Sequence, residues 1–318
     1  MPASSLPRLA AIAAMSCLAV FLTRGSMIVA QDASTAARDT VEEPSTTIAV
    51  WQDDMPAWDA PDAPESDTST ADSRQVAGRS VIRLGNVSHP ELHVYPATGD
   101  ARSESTVVIA PGGGYSILAW DLEGTEVATW LQSVGVSAVV LKYRVPTRQA
   151  DQKWLAPVQD IQRGISLVRS GKVPGVGTEK IGVLGFSAGG NASARALTAK
   201  SRLYEASDEI DRADCKPDFG VLVYPAWLVE TDEPLELIDD ISVDENTPPA
   251  FFAHAIDDRV SCLSSVGLFT AMQRHKIPAS LHIFSSGGHG FGLRRSGSVT
   301  DQWPDLCAAW MKQIGVAR

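Results

Sequence analysis

The sequence KIGVLGFSAGGN, at Lys180–Asn191, joins an apolar run to a small-residue segment through the pattern G-x-S-x-G. The apolar residues of Ile181–Leu184 predict a buried strand of a parallel sheet. Glycines two residues before and two residues after Ser187 relieve the steric conflict of a tight strand-to-helix turn. Such a turn holds the serine hydroxyl at the top of a sheet, over the positive end of the following helix. The pattern alone also fits an ordinary glycine-rich turn.

Strand and helix patterns alternate on both sides of this turn. Segments rich in apolar and β-branched residues predict strands at Thr46–Trp51, Ser80–Leu84, Glu91–Tyr95, Thr106–Ala110, Ser137–Val145, Asp218–Tyr224, Pro249–Ile256 and Ala279–Phe284. Apolar residues at helical spacing predict helices at Gly124–Val134, Pro157–Arg169, Ser264–His275 and Asp301–Ile314. This alternation predicts the α/β class, with a parallel sheet covered by helices on both faces.

Composition and charge narrow the function classes. The chain has 318 residues, 44% of them hydrophobic, which is ample for a buried core, and its formal net charge is −11. A strongly acidic chain without a basic surface does not offset phosphate repulsion, so we expect no nucleic-acid partner. Residues 32–72 contain eleven Asp and Glu but only one basic residue, Arg38, so much of the charge belongs to the N-terminal segment.

The first 30 residues have the pattern of a targeting segment. Arg8 supplies a positive start, and Leu9–Leu22 is an uncharged apolar run of 14 residues. That run is short for a membrane span but typical of a signal peptide, although an uncleaved anchor is the alternative. We therefore predict a signal peptide at 1–30, a flexible linker at 31–45 and a catalytic domain at 46–318. The expected location is secreted or periplasmic, without stable membrane insertion after cleavage.

Neither the cysteines nor the histidines predict a metal site or a disulfide framework. Cys215, Cys262 and Cys307 follow the signal segment, and their odd number allows one bridge plus a free thiol, or three buried reduced residues. His89 and His93 are four residues apart, but Pro90 opposes the helix that a metal-binding pair would need.

Three residues form a catalytic pattern in the order serine, aspartate, histidine. Serine needs a base to act as a nucleophile at neutral pH, and that base needs an orienting carboxylate. Ser187, Asp257 and His289 each follow a predicted strand. Because loops after parallel strands gather at the carboxyl edge of a sheet, we expect the three side chains to meet there.

A glycine run follows the predicted strand Thr106–Ala110. Pro111 is followed by Gly112, Gly113, Gly114 and Tyr115, a run that suits close approach of backbone N–H groups to a ligand. In acyl transfer the ligand is the oxyanion of a tetrahedral intermediate. No Lys-Ser/Thr pair follows the glycines, which argues against a phosphate loop. A plain flexible loop is the other interpretation.

From Thr46 to its end, the chain resembles α/β-hydrolase esterases of the acetyl-xylan-esterase-like group, near the hormone-sensitive-lipase and dienelactone-hydrolase branches. The resemblance implies the α/β-hydrolase fold, a mostly parallel central sheet with helices on both faces. It implies Ser187 as nucleophile, His289 as base and Asp257 as its orienting acid. It also implies an oxyanion hole from the N–H of Ala188 and one of Gly112–Gly114. The matching segments are the Trp51 strand, APGGGY (110–115), Glu123-Gly124, LKYRVP (141–146), GFSAGG (185–190), VYP (223–225), DDRV (257–260) and GGHGFG (287–292).

Two departures from the family pattern affect the choice of acid. Ala255 stands where relatives often have glycine, and Ser261 stands where they often have proline. Both Asp257 and Asp258 are therefore candidates. We prefer Asp257, because the pattern places the acid three residues before Val260.

The leading hypothesis is a secreted carboxylic-ester hydrolase that removes O-acetyl groups from xylan-type or other polysaccharide. It needs no metal or cofactor. A broad carboxylesterase, a feruloyl esterase or an exopeptidase-like hydrolase with the same three residues is the second hypothesis. The expected substrate is an acetylated polysaccharide or a small ester. We expect Tyr115 and Trp227 to contribute to substrate binding. The third hypothesis is a non-catalytic binding protein on a hydrolase fold. The sequence does not predict an oligomeric state.

Overall fold

Most of the predicted strands form a central sheet in a computed structural model, which describes residues 43–52, 54–230 and 235–318. The strand predicted at Ser80–Leu84 is instead β3 (Arg83–Gly85) of a separate small sheet. The predicted signal peptide (1–30) and residues 31–42 of the predicted linker lie outside the described residues. The strands are β1 (Thr46–Ala49), β2 (Ser66–Asp67), β3 (Arg83–Gly85), β4 (Glu91–Tyr95), β5 (Ser105–Ala110), β6 (Leu118–Ala119), β7 (Ser137–Lys142), β8 (Lys180–Phe186), β9 (Phe219–Val223), β10 (Ala250–Ala255) and β11 (Ala279–Phe284). The helices are α1 (Glu126–Ser133), α2 (Leu155–Arg169), α3 (Ser187–Thr198), α4 (Leu263–Arg274) and α5 (Trp303–Gln313).

Eight of these strands form one mostly parallel sheet. Their order is β1-β4-β7-β5-β8-β9-β10-β11. The pairs β1–β4 and β4–β7 are antiparallel, and every pair from β7 to β11 is parallel. A small antiparallel sheet of order β2-β3-β6 is separate from it. The predicted α/β class and the mostly parallel sheet are therefore confirmed.

Successive residues of the central strands are buried on opposite faces of the sheet, which explains why their apolar runs are unbroken. Val107 and Val108 of β5 are both fully buried, yet they belong to different core clusters. Val108 packs in the cluster that contains Ile161 of α2, and Val107 packs in the one that contains Leu131 of α1. Both faces of the sheet are thus covered by helices, as the sequence predicts.

Strand β7 ends at Lys142, three residues before the predicted end at Val145. The side chains of the next two residues, Tyr143 and Arg144, bond to buried polar partners. The Tyr143 hydroxyl donates to the carbonyl of Pro111 (2.5 Å), and the Arg144 guanidinium bonds the carboxylate of Asp160 on α2. Buried polar groups require such partners, and here they set the end of the strand.

The Arg144–Asp160 pair is fully buried beside the carboxyl edge of the sheet. Asp160 also accepts from the indole Nε1 of Trp51 (2.7 Å) and from the backbone N–H of Arg144 (3.0 Å). The pair therefore fixes the segment after β1 to α2 and to the segment after β7.

Removing the Asp160 carboxylate is expected to destabilise the fold strongly. In Asp160→Ala the Arg144 guanidinium is left buried without its counter-charge, which typically costs about 3–5 kcal/mol. The free energy of unfolding in urea measures this loss. Glu209→Ala is the control, because it breaks an exposed ion pair with Lys172 and should leave the unfolding midpoint close to wild type. Equal midpoints for wild type and Asp160→Ala would contradict the account.

Cys215, Cys262 and Cys307 are free thiols in the structure. Of the two alternatives left open by their odd number, the structure shows three reduced residues, of which Cys215 and Cys307 are buried and Cys262 is only partly buried. Within the described part of the chain, no helix combines the length and apolar character that a membrane span requires.

Candidate active site

The strand-to-helix turn at Ser187 is as tight as the sequence predicts. Ser187 has a φ of 51°, a left-handed conformation that side chains rarely adopt. A Cβ at Gly185 would lie 2.3 Å from the carbonyl oxygen of Gly189, and a Cβ at Gly189 would lie 2.1 Å from the carbonyl of Ala110. Only glycine fits at these two positions, so the pattern G-x-S-x-G is sterically required here.

A hydrogen-bonded chain joins Ser187, His289 and Asp258. The distance from Ser187 Oγ to His289 Nε2 is 2.9 Å, and the distance from His289 Nδ1 to Asp258 Oδ2 is 2.8 Å. A carboxylate only accepts, so His289 donates from Nδ1 and its Nε2 is available to accept the serine proton. This geometry can activate a serine hydroxyl for attack on a carbonyl carbon.

The structure places Asp258 beside His289, so the preference for Asp257 as the contacting acid is wrong. Asp257 is exposed and accepts instead from the backbone N–H groups of Gly287 (3.3 Å) and Gly288 (2.8 Å). It stabilises the start of the loop that carries His289. The Asp258 side chain is fully buried and faces the imidazole. The spacing to Val260 alone therefore does not identify which of the two adjacent carboxylates points inward.

Asp258 is held ionised by its surroundings. Burial by itself raises the pKa of this carboxyl, but three hydrogen bonds outweigh it and lower the pKa below its usual range. They come from His254, from His289 and from the backbone N–H of Val260. His254 is fully buried, with Nε2 3.3 Å from Asp258 Oδ2 and Nδ1 2.9 Å from Ser265 Oγ. A buried histidine four residues before an aspartate is a usable signal for Asp258, because such a histidine needs a polar partner.

The glycine run supplies fewer free donors than the sequence predicts. The N–H of Gly112 donates to Glu123 Oε2 at 2.7 Å, so the prediction that Gly112 serves the oxyanion hole is wrong. Gly113 and Gly114 line the cavity that contains Ser187. Ala188 lies in the first turn of α3, where backbone N–H groups have no partner within the helix. Ala188, Gly113 and Gly114 remain the predicted oxyanion donors.

Glu123 is a buried carboxyl group at the floor of the site, to which the sequence pattern assigns no role. Oε2 accepts from Gly112, and Oε1 accepts from the Tyr224 hydroxyl at 2.8 Å. The Tyr224 ring in turn packs against the His289 imidazole, with 4.9 Å between ring centroids. Burial raises the pKa of Glu123, against the opposing effects of Tyr224, the His289 charge and Gly112. Glu123 thus links the glycine loop to Tyr224, the residue whose ring packs against His289.

The raised pKa of Glu123 predicts a pH dependence of stability. A carboxyl group whose pKa is raised on folding contributes stability below the unfolded value of 4.5. That contribution is lost as the pH rises from there through the folded pKa. The free energy of unfolding of the wild type, relative to Glu123→Gln, should fall in that window by at most about 1.4 kcal/mol per pH unit. Urea unfolding at several pH values measures it, with the exposed Glu205→Gln as control. Parallel pH profiles for wild type and Glu123→Gln would contradict the assignment.

The structure places the two predicted substrate-binding residues, Tyr115 and Trp227, in different environments. Tyr115 is fully buried, and its hydroxyl donates to Asn191 Oδ1 at 2.8 Å. The predicted substrate contact of Tyr115 is therefore wrong, because the ring braces the glycine loop against α3 from inside. Trp227 lines the cavity, as expected of a substrate-binding residue, and its role remains a prediction.

A cavity of about 570 Å³ holds Ser187 and His289 at the carboxyl edge of the sheet. Its remaining wall combines apolar side chains, the glycine loop, Trp227 and arginines. Strands β5, β8, β10 and β11 each end at this edge, and the segments that follow them supply the glycine loop, Ser187, Asp258 and His289. Ligand sites in open parallel sheets lie at this edge.

Comparison with known proteins gives one curated relative and several similar solved structures. No protein-family model matches the chain. Over 238 residues it is 31% identical to an acetylxylan esterase from Xylanibacter ruminicola, which covers 67% of the chain. The chain spans less than half (46%) of that relative's length.

Two solved structures share the architecture. An acetyl ester-xyloside bifunctional hydrolase from Caldicellulosiruptor lactoaceticus has a TM-score of 0.66 and 28% identity, with 87% of this chain and 98% of that chain covered. A thermophilic esterase from the planctomycete Thermogutta terrifontis has a TM-score of 0.59 and 21% identity, with 81% and 97% covered. The resemblance to acetylxylan-esterase-like hydrolases is therefore confirmed, and the chain has the α/β-hydrolase fold.

Proposed function

We propose that the chain is a serine carboxylic-ester hydrolase that removes O-acetyl groups from sugar hydroxyls of xylan-type or other polysaccharide. The observation that carries the ester-hydrolase assignment is the hydrogen-bonded chain from Ser187 Oγ through His289 to Asp258, at 2.9 and 2.8 Å, inside an open cavity. A buried carboxylate, an oriented imidazole and a strained serine together form the arrangement that acyl transfer requires.

Each step of the reaction has a residue in position. Ser187 Oγ attacks the acetyl carbonyl carbon while His289 Nε2 takes the serine proton. The N–H of Ala188 and an N–H from Gly113 or Gly114 donate to the resulting oxyanion. His289 then gives its proton to the departing sugar oxygen, leaving an acetyl ester on Ser187. Water, deprotonated by His289, attacks that ester; His289 then returns the proton to Ser187 Oγ as the bond to the acyl group breaks and acetate leaves. Asp258 holds the imidazole tautomer and stabilises the imidazolium throughout.

The acetyl and carbohydrate preferences are supported by the comparisons. The curated relative is named an acetylxylan esterase, and one similar solved structure is named an acetyl ester-xyloside hydrolase. The half-buried Trp227 ring in the cavity wall is an aromatic group of the kind that contacts sugars. The predicted signal peptide agrees with an extracellular polymer as substrate, and we propose export on that ground.

The substrate assignment is tested by acetate release from acetylated xylo-oligosaccharides, beside 4-nitrophenyl esters of increasing acyl length and a feruloyl ester. We expect the acetyl esters to have the highest kcat/KM, and the sugar acetates to release acetate. Faster turnover of the feruloyl or long acyl esters would contradict the acetyl preference. Hydrolysis of small esters without any release from the oligosaccharides would contradict the carbohydrate assignment while leaving the esterase chemistry intact.

A further inference from the structure

The cavity that contains Ser187 is positively charged in a chain whose net charge is −11. Its wall includes four arginines, Arg74, Arg83, Arg148 and Arg259. Among the described residues of this wall the one carboxyl side chain is that of Glu123, which is buried and occupied by two hydrogen bonds. The site therefore presents the opposite sign of charge to the chain as a whole, and such a local field concentrates anionic ligands.

Three of these arginines form no close ion pair with a carboxylate of the described residues, although Arg74 is near enough to Glu123 to act on its charge. Buried arginines elsewhere pair with carboxylates, as Arg144 does with Asp160 and Arg294 does with Asp121 and Glu126. The cavity arginines Arg74, Arg148 and Arg259 are exposed, and none of them forms an ion pair within the described ranges.

The side chains of two of these arginines donate to backbone carbonyl groups of the active site. Arg74 Nη1 donates to the backbone carbonyl of His289 at 2.8 Å, and Arg148 Nη1 donates to the backbone carbonyl of Gly114 at 3.1 Å. Each guanidinium carries five N–H donors, so each retains donors for a ligand. His289 protonates the departing sugar oxygen in the proposed reaction, so a guanidinium anchored on His289 is close to that sugar.

A second positive cluster surrounds Trp227. The Arg148 guanidinium carbon lies 4.8 Å from the centre of the ring, and Lys153 Nζ lies 4.1 Å from it. Burial, and after it the neighbouring charges of Arg148 and Arg195, lower the pKa of Lys153. A ligand that reaches Trp227 would thus meet the cationic groups that lie over its ring.

We propose that the natural substrate of this site is an acetylated sugar chain carrying an anionic group, a carboxylate or a sulfate, bound by Arg74 and Arg148. This inference rests on the proposed deacetylase function and specifies its substrate class. A guanidinium offers paired donors that match the two oxygens of a carboxylate or sulfate. Arg259, at the same cavity, adds long-range attraction during approach.

The test compares matched substrates at low ionic strength. One pair is an acetylated xylo-oligosaccharide bearing a glucuronate and the same oligosaccharide with that carboxyl reduced to an alcohol. The other pair is an acetylated sulfated oligosaccharide and its desulfated form. We expect kcat/KM to be higher for the anionic member of at least one pair by roughly tenfold or more, the effect of one charge-assisted hydrogen bond. The pair that shows the preference identifies the anion.

The preference should depend on the arginines. In Arg74→Gln and Arg148→Gln, the ratio of kcat/KM for the anionic and neutral members should fall towards one, and added NaCl should lower it in the wild type. Arg274→Gln is the matched control, because this exposed arginine ends α4 at the opposite edge of the sheet. Equal rates for both members of both pairs would overturn the inference and leave the deacetylase function standing. Acetate release from none of the four would overturn both.

Discussion

Replacement of Ser187 by alanine is expected to lower kcat/KM for acetyl esters by at least ~10³-fold. The serine oxygen forms the covalent bond to the acyl group, so without it neither attack nor acyl-enzyme formation takes place. The remaining groups still bind the ester and donate to its carbonyl oxygen, which leaves a small residual rate. Initial rates on 4-nitrophenyl acetate, with the wild type at matched concentration, measure the loss.

The fold should survive this substitution, which keeps the interpretation simple. Alanine retains a Cβ, so the strain of the left-handed backbone at φ 51° is the same as for serine. The unfolding midpoint should therefore remain near that of the wild type. A variant that is folded and still hydrolyses esters at more than a tenth of the wild-type rate would place the nucleophile elsewhere.

Asp258→Asn is expected to lower kcat by about 10³–10⁴-fold, whereas Asp257→Asn should lower it by less than about tenfold. The amide of an asparagine at 258 can present its NH₂ group to His289 Nδ1. The imidazole would then hold its proton on Nε2, where it blocks transfer from Ser187 Oγ. At position 257 an asparagine keeps one oxygen for the N–H of Gly288, so the loop that carries His289 keeps its hydrogen bond.

The two aspartates are a closely matched pair, because they are adjacent in sequence and receive the same change. Rates on 4-nitrophenyl acetate across a pH series separate a tautomer effect from a structural one, since strong base can partly bypass a wrongly protonated imidazole. Far-UV circular dichroism serves as the check of folding. A larger loss in Asp257→Asn than in Asp258→Asn would show that the acid is Asp257 and that the contact between Asp258 and His289 is not the functional one.

The sequence predicts the elements of the sheet well, because each has a local signal. Buried strands such as β5 are continuous apolar runs, and the pattern around Ser187 allows glycine alone at Gly185 and Gly189. Strand β11 has the predicted bounds, Ala279–Phe284. Helix α2 begins two residues earlier than predicted, at Leu155, within the usual uncertainty of helix ends.

The choice among neighbouring polar groups is not local, and there the sequence is less informative. Asp257 and Asp258 differ only in which way the turn after β10 directs them, and that direction is fixed by His254 and the N–H of Val260. Likewise, the N–H of Gly112 is occupied by Glu123, a contact across 11 residues that no spacing rule indicates. Tyr115 is turned inward by its bond to Asn191, 76 residues away.

The sequence also does not predict the cluster of arginines in the cavity wall. Arg74, Arg148 and Arg259 are far apart in sequence and come from three different loops, so only the fold brings them to one cavity. Composition suggests the reverse, since the net charge is −11. Average charge therefore predicts little about the ligands of a single site.

The most direct test of the central claim, that Ser187 is an activated nucleophile, is covalent labelling. A fluorophosphonate reacts with serines whose hydroxyl is deprotonated by a neighbouring base, and the labelled peptide is identified by mass spectrometry. We predict one equivalent of label on Ser187, with esterase activity lost in proportion, and no labelling in Ser187→Ala. Full activity after exposure, or loss of activity with the label on another residue, would contradict the account.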